Sequence, residues 1–550
     1  MCGIIAVLSR PSTRPVPAAS DLFDLLDRAI ADPTMIGAAR LTSACDQLLH
    51  GVPGVCALVG RHELLAAMNA KLDQLDARAT EYEQWIESST DLTVEQIEQA
   101  NIEMIALRDA TWAVRQDRLR TAREVDALAG RDAGRAAIAA YLSVQQALSA
   151  LDRLEVRGRD SAGVHLFVWD HGLSVADPAV QSLLAQRTSD PLFQTGSVRV
   201  AGACLSFVYK AAKEIGELGD NTRALRAAIQ ADDLLRLALA RPESRLTVLG
   251  HTRWASVGII SEPNCHPLNS EESEMSGNDQ QRPYVVAALN GDVDNHADIK
   301  VQHGLRIPGP ITTDAKVIPA VMSRLTVDTN GNLTEAFRRT VAGFEGSVAI
   351  GTASAAAPDK LFLALRGSGQ ALYIGLAEDT YIVASEPYGV VEETWNYLRV
   401  DGETPSPSGS RGQVFVLDAS HAGELAGVQR LAYDGSDLPI TADDVAVAQV
   451  TTRDIDRGDA PHFLLKEITE APSSFRKTLR GKIAERDGML HSVVGDGALP
   501  TDIAARLASG EITKVRVIGQ GTAAVAGRSM AAVLDTLCEG HLDIDPITAT

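Results

Sequence analysis

From His62 onward, apolar residues fall at alternating spacings of three and four: Leu65, Met68, Leu72, Leu75, Ala79, Tyr82 and Ile86. That spacing keeps returning to one face of a helix, the signature of a heptad seam. Ser88-Ser89-Thr90-Asp91 interrupts it, and Thr93 with Gln96 has the spacing of a capping box. A second seam runs through Ile97, Met104, Leu107, Val114, Val125 and Leu128. Together they predict an antiparallel helical hairpin over 62–130, an arm for structure or for a partner. A third helix is expected over 134–155, carrying Ile138, Leu142, Leu148, Leu151 and Leu154 and ending at Arg157-Gly158.

The texture then changes to short apolar runs broken by Gly, Pro, Asn and Asp. Strands are expected at 164–169, 246–250, 284–289, 347–351, 361–365, 371–376, 381–385 and 413–417. Helices are expected at 222–240, 313–325 and 333–342, so the class is α+β with mostly antiparallel pairing. The chain opens on one more strand, Gly3 to Leu8, and 10–33, rich in Pro and Ser, reads as loop with a short amphipathic piece. Residues 401–412, with Pro405, Pro407 and three glycines, predict a surface loop, and 434–461 a polar link. Lys514 to Ile518, the turn Gly519-Gln520-Gly521-Thr522 and a helix to Cys538 read as strand, turn and helix of a parallel α/β unit.

Length and charge narrow the class. At 550 residues the chain exceeds one ordinary domain. Its 72 acidic and 51 basic residues leave a formal charge of -21, the wrong sign for a nucleic-acid partner. The six cysteines are scattered with no Cys-x-x-Cys pair, so neither a disulfide framework nor a zinc site is suggested, and no metal or other cofactor is expected. No apolar run reaches membrane-spanning length and no signal peptide is recognised, which predicts a cytoplasmic protein without a membrane partner.

Chemistry enters at the second residue. Removal of Met1 would leave Cys2 with a thiol and a free α-amino group, which titrates near ~8 and can serve the thiol as a built-in base. Five short pieces downstream carry the residue types an amide-hydrolysing pocket needs: 157–163 (Arg-Gly-Arg-Asp-Ser-Ala-Gly), 250–256 (Gly-His-Thr-Arg-Trp-Ala-Ser), 264–267 (Asn-Cys-His-Pro), 289–291 (Leu-Asn-Gly) and 312–314 (Thr-Thr-Asp). Asn290's side-chain amide and Gly291's N–H offer two donors for a tetrahedral oxyanion. A free amino acid presents a carboxylate and an ammonium, which Arg253 and Asp314 suit. Each residue also has a structural alternative. Arg253 could be a surface ion pair, Asp314 a helix N-cap, Asn290-Gly291 a type I′ hairpin turn, and His251 and His266 satisfied structural histidines.

With Met1-Cys2-Gly3-Ile4, these pieces in this order resemble the class II glutamine amidotransferases. The stretches 151–158, 250–256 and Lys466 to Pro472 most resemble the glutamine–fructose-6-phosphate transaminase (isomerizing) branch. The resemblance implies an N-terminal-nucleophile αββα sandwich over 1–450 with a helical-hairpin insertion at 10–133. It implies Cys2, Asn290 and Gly291 as catalytic residues, and Arg253, Trp254, Ser256, His266, Asp314 and Arg157 as substrate-binding ones. A linker over 451–510 and the start of a sugar isomerase (SIS) domain over 511–550 would follow, with Thr522 contacting sugar. The implied substrates are glutamine and a sugar phosphate, and the implied assembly is a homodimer through a complete SIS domain. No Ser-x-Ser-Gly-x-Thr phosphate loop occurs after Thr522, so the chain is expected to be the N-terminal portion of a longer protein. Two other readings stay open: an amidotransferase for another sugar phosphate, and a sugar-sensing or scaffold protein with a vestigial glutaminase site.

Overall fold

The computed structural model describes residues 2–89, 92–130, 132–187, 191–213, 216–273, 282–367, 369–480, 482–486, 488–493 and 497–549. Met1, the interruption at Thr90-Asp91 and the last residue, Thr550, lie outside the described residues. The chain forms two compact units: residues 1–83 with 103–466, and residues 84–102 with 467–550.

The first unit opens on β1 (Gly3–Ser9), every residue of which is apolar up to Leu8. The reason lies on both sides of the strand. Ile5 and Val7 pack under helices, whereas Ile4, Ala6 and Leu8 point into a second core between two sheets. A strand buried on both faces loses the usual alternation with polar residues.

Helices fill the stretch after β1: α1 (Ala19–Ala31), α2 (Met35–Leu48), α3 (Gly51–Leu58), α4 (His62–Ser88), α5 (Val94–Trp112), α6 (Arg120–Ala129) and α7 (Arg135–Leu154). A π-helical segment, Ala113–Leu119, joins α5 to α6. Over 10–33, expected as loop with a short amphipathic piece, the amphipathic piece is α1 and takes up more of the stretch than expected. Pro11, Pro15 and Pro17 confine extended backbone to the residues before Ala19. Leu22, Leu26 and Ala29 then make one buried face of α1. Within the first unit, Leu65, Met68, Leu72, Leu75 and Ala79 share one core with Met104, Leu107 and Val114, and α1 and α2 close that core.

The sandwich follows. Its strands are β2 (Ser161–Trp169), β3 (Val198–Ala201), β4 (Cys204–Ala211), β5 (Arg245–Arg253), β6 (Leu268–Asn269), β7 (Val285–Gly291), β8 (Val348–Ser354), β9 (Ala357–Arg366), β10 (Tyr373–Ala377), β11 (Thr380–Ala384), β12 (Asn396–Arg399), β13 (Gln413–Asp418), β14 (Val428–Ala432) and β15 (Val445–Val447). A nine-stranded sheet runs β15-β12-β10-β11-β1-β5-β2-β4-β3, and a six-stranded one β14-β13-β9-β8-β7-β6. Both are antiparallel.

Helices α8 (Pro178–Ala185), α9 (Asp220–Gln230), α10 (Asp233–Ala238), α11 (His296–Gln302), α12 (Val317–Asp328) and α13 (Leu333–Ala342) complete this unit. The single helix expected over 222–240 is two, because the Asp232 side chain accepts from Leu235 N–H and starts a new one. Helix α7 covers the outer face of the first sheet, and α12 with α13 cover that of the second. The layers are helix, sheet, sheet, helix. Strand β7 shows the order in one element: Val286 and Ala288 face the inter-sheet core, while Val285, Ala287 and Leu289 face the helices.

The second unit holds α14 (Phe463–Leu479) from Glu467 onward, the hairpin β16 (Ile483–Arg486) and β17 (Met489–Ser492), α15 (Thr501–Ala508), β18 (Lys514–Gly519), α16 (Thr522–Leu537) and β19 (Asp543–Thr548). Strands β18 and β19 pair in parallel. The stretch expected to be a linker, 451–510, therefore contains two helices and a hairpin. Little of this unit is buried: among its described residues the core hydrophobics are Ile86, Ile97 and Ala100 of the 84–102 segment and Ala524 and Ala531 of α16.

Candidate active site

Strand β1 puts Cys2 at the open end of the first sheet. Gly3 pairs with Thr252 of β5, so Cys2 lies beside the residues that leave β5, Arg253 and Trp254. A Cβ on Gly3 would sit 2.8 Å from Thr252 Oγ1 and 2.9 Å from Leu154 Cβ, which makes glycine a packing requirement at the last turn of α7. The thiol donates to Trp254 O at 3.4 Å and accepts from Trp254 N–H at 3.3 Å. Burial pushes the Cys2 thiol up, while the Trp254 N–H and the charge of Arg253 pull it the other way.

Asn290 comes from the facing sheet, at the end of β7, and is 1% exposed. Its Oδ1 accepts from Cys2 N–H at 3.2 Å, which fixes the orientation of the amide. Its Nδ2 is buried and, among the described residues, has no hydrogen-bond partner. A buried donor left unmade costs about 1–3 kcal/mol, so it marks a place where another group is expected to accept.

The two residues do not form a hairpin turn: both remain in β7, opposite Ala349 and Val348. Asp292 N–H donates to Ser347 O, and the alternation of an antiparallel ladder then leaves Gly291 opposite Val348 without an exchanged bond. Its N–H is turned to the other edge of β7, which β6 leaves uncovered there because its first residue, Leu268, pairs with Ala287. Along that edge the carbonyl of Leu289 accepts from His251 Nε2 at 2.8 Å and meets His266 Nδ1 at 3.2 Å. At Gly291 only glycine fits: φ is +119°, and a Cβ would lie 2.0 Å from Ser347 O.

The charged pair expected to frame an amino acid is present and largely occupied. Arg253 is 2% exposed, donates to Ile259 O at 3.2 Å and to Val257 O, and so ties down the loop after Trp254. It is not a surface ion pair. Burial lowers its pKa, which means its charge is poorly solvated there. Asp314 Oδ2 accepts from Val293 N–H at 2.8 Å and Oδ1 from Ala315 N–H at 3.0 Å. It thereby steadies the backbone just past Gly291, and burial raises its carboxyl. Ser256 Oγ donates to Asp292 Oδ1 at 2.8 Å, joining the two loops.

The remaining candidates spread outward. Trp254 exposes 58% of its surface while its backbone holds the thiol. His251 and His266 are buried, their rings tilted by 36° with centroids 4.5 Å apart, and kept neutral by burial, which lowers His251 to about 3. His266 Nε2 meets Thr313 Oγ1 at 3.2 Å, so both its ring nitrogens are engaged. Arg157 pairs with Glu386 and donates to Ser385 O at 3.4 Å. The following Gly158 passes so close that a Cβ would lie 2.6 Å from Arg253 C and Trp254 N. Thr522 belongs to the second unit, where it opens α16 and is exposed.

Three supporting residues escaped the reading of side-chain chemistry alone. Asp160 Oδ2 accepts from Ala255 N–H at 2.9 Å, Asn264 Oδ1 from Thr312 and Thr313 N–H at 2.7 and 3.0 Å, and Asp292 from Ser256. Asp160 and Asn264 stand inside the motifs, and Asp292 directly follows one. Among the described residues no cluster of three metal-ligating side chains occurs.

No family model matches the chain. Among curated proteins, the glutamine–fructose-6-phosphate aminotransferase (isomerizing) of Streptococcus mutans is 25% identical over 328 residues, 59% of this chain and 47% of its own. The protein of the same name from Oceanobacillus iheyensis is 28% identical over 298 residues, 53% of this chain and 43% of its own. A solved glutamine phosphoribosylpyrophosphate amidotransferase from B. subtilis, complexed with ADP and GMP, aligns over 54% of this chain and 48% of its own. Its identity is 17% and its TM-score 0.32, too low to bear on the fold. The chain spans about half the length of the curated relatives it matches. Over that half it is similar to proteins named glutamine–fructose-6-phosphate aminotransferase (isomerizing).

Proposed function

We propose that this chain hydrolyses glutamine at Cys2 and that the ammonia is destined for a sugar phosphate. The observation that carries the reading is the Asn290 amide: its oxygen is held by the Cys2 N–H and its nitrogen is a buried donor without a partner. Once Met1 is removed, the nitrogen held by Asn290 becomes an α-amine adjacent to the thiol. The amine takes the thiol proton, and the thiolate attacks the glutamine carboxamide carbon. Asn290 Nδ2 and Gly291 N–H receive the oxyanion. Collapse breaks the C–N bond, the α-ammonium returns its proton to the leaving ammonia, and water then cleaves the thioester to glutamate. Arg253 and Asp314 are proposed to meet the carboxylate and ammonium of the substrate, while Ser256, Trp254, His266 and Arg157 shape the walls that hold them.

Fructose 6-phosphate is the proposed acceptor, after the name of the relatives, with another sugar phosphate as the alternative. We further propose that 10–133 is a helical insertion in the sandwich able to bind a partner, that β18, α16 and β19 begin a sugar isomerase domain with Thr522 at its sugar site, that this domain dimerises, and that the protein works in the cytoplasm. Among the described residues no helix is long and apolar enough to cross a membrane. The test is glutamate release from glutamine by the purified chain, with amino sugar measured in parallel. Cys2→Ala or an uncleaved N-terminal tag should abolish glutamate release; full activity in either would overturn the reading.

A further inference from the structure

The first unit has a second polar cleft, away from Cys2, formed where the π-helical segment and α6 meet α7, α9 and the segment after Thr452. It has two adjoining lobes of about 210 and about 200 Å³ that share Arg120, Ser149, Asp152 and Arg457. Each is smaller than the ~300–1,000 Å³ usual for drug-sized ligands, so a small metabolite is the right scale. Five arginines line the two lobes: Arg120, Arg153, Arg223, Arg226 and Arg457. That is unusual in a chain whose formal charge is -21.

The question is which of these charges are already spent. Arg226 pairs with Glu124 at 2.9 Å, Arg223 with Asp220, and Arg153 Nη1 with the buried Glu392 at 2.6 Å. Arg120 only approaches Glu392, at 4.0 Å. Arg457 donates to the carbonyl of Ala460, and among the described residues it pairs with no carboxylate. The two arginines shared by the lobes therefore carry the excess charge. Opposing them, Asp152 is exposed and Asp456 is turned to its own backbone, accepting from Gly458 N–H at 2.9 Å. Burial, reinforced by Glu392, pushes the Asp117 carboxyl up and favours its neutral form.

Two buried atoms of residues lining the same lobe lack partners among the described residues, and their characters are complementary. Arg153 Nε is a donor and Asp117 Oδ1 an acceptor, or a donor when protonated. Asp117 is 5% exposed and is held in place by Thr452 Oγ1 at 2.7 Å, which in turn accepts from Trp112 Nε1 at 3.1 Å. A ligand hydroxyl can satisfy both, its oxygen accepting from Arg153 Nε and its O–H donating to Asp117 Oδ1. Guanidinium forks suit phosphate through paired N–H bonds, and Asp152 adds an acceptor for hydroxyls, whereas Ser149 Oγ is spent on Glu392 and Arg153.

We infer that this cleft binds a small hydroxylated phosphate monoester, with its phosphate between Arg120 and Arg457 and its hydroxyls toward Asp117 and Asp152. Trp112 lines the cleft, so binding reports itself through the indole.

The probe is ribose 5-phosphate, titrated into the full chain by calorimetry and by tryptophan fluorescence at constant ionic strength. Saturable heat and a fluorescence change are expected with ribose 5-phosphate, weaker binding with inorganic phosphate and none with ribose. Arg457→Gln and Arg120→Gln should each weaken binding by ~10-fold or more, since a hydrogen bond to a charged group is worth about 1.5–3 kcal/mol. Trp112→Phe should remove the fluorescence change while the heat persists. Arg457 lies on a surface segment, so its variant should unfold at the same denaturant midpoint as the parent. No saturable binding, equal binding of ribose, equal affinity for inorganic phosphate, or an unchanged affinity in the folded Arg457→Gln chain would each overturn the assignment.

Discussion

The two halves of the candidate active site are built differently. Near Cys2 the proposed oxyanion donors are unspent: among the described residues Asn290 Nδ2 is buried and unpartnered, and Gly291 N–H is turned away from β8. At Arg253 and Asp314 the charged groups are already bonded, to Val257 O and Ile259 O on one side and to Val293 and Ala315 N–H on the other. A group with no internal partner is free to act in a transition state. A group that also holds its own loop couples binding to local order. Removing the first should cost rate with little cost in fold, and removing the second should cost affinity and stability together.

The largest effect is expected at Asn290. Asn290→Ala should lower kcat by ~10²–10³ with KM little changed, the magnitude typical of one oxyanion donor. Steady-state glutamate release checks this, and a change confined to KM would place Asn290 in binding. Next come Arg253→Ala and Asp314→Asn. Each should raise KM by ~2–5 kcal/mol in apparent binding and also lower the unfolding midpoint, because backbone groups lose their partners. A KM effect with an unchanged midpoint would mean the observed loop bonds contribute nothing, and the contrast between the halves would fail.

Smaller effects follow. Ser256→Ala removes one bond between the two loops and should cost about 0.5–1.5 kcal/mol of stability by denaturant titration. The pH dependence separates a further buried group, Lys316. It is fully buried, donates to Asn269 O and Oδ1 at 2.7 and 2.8 Å, and burial lowers its pKa to about 7. In the unfolded chain a lysine titrates near ~10.4. Between those values the unfolded state binds the extra proton, so this contribution to stability rises with pH from about 7 upward and is lost as pH falls through it. Lys316→Met should flatten that rise in urea titrations. A slope unchanged by the substitution would show that Lys316 stays charged.

Much of this site was legible because its chemistry sits in short contiguous pieces. Cys2, Arg253, Asn290 and Asp314 come from elements whose ends converge at one edge of the sandwich, and each lies in a motif of distinctive composition. What the sequence hid was occupancy. Nothing in the order Thr-Thr-Asp says that Asp314 will accept from Val293 N–H, and Asn-Gly reads as a turn until the register shows both residues inside β7. The histidines illustrate the same limit: His251 and His266 look equally suited to a pocket, yet both rings are buried and engaged by the Leu289 carbonyl, and only His266 also reaches Thr313 beside Asp314. In the fold, the seams of α4 and α5 were readable by period alone. Helix α1 was obscured by the three prolines ahead of it, and the break between α9 and α10 depends on one cap, Asp232.

The central claim is that Cys2 is the nucleophile, and covalent capture tests it most directly. The purified chain would be treated with an electrophilic glutamine analogue, digested, and its six cysteines examined by mass spectrometry. The account predicts a chain lacking Met1, one adduct on Cys2, protection by glutamine, and loss of labelling in Asn290→Ala well beyond any loss with a small uncharged alkylating agent. Glutamine-protected labelling at Cys45, Cys56, Cys204, Cys265 or Cys538, or glutamine hydrolysis that persists in Cys2→Ala, would contradict it.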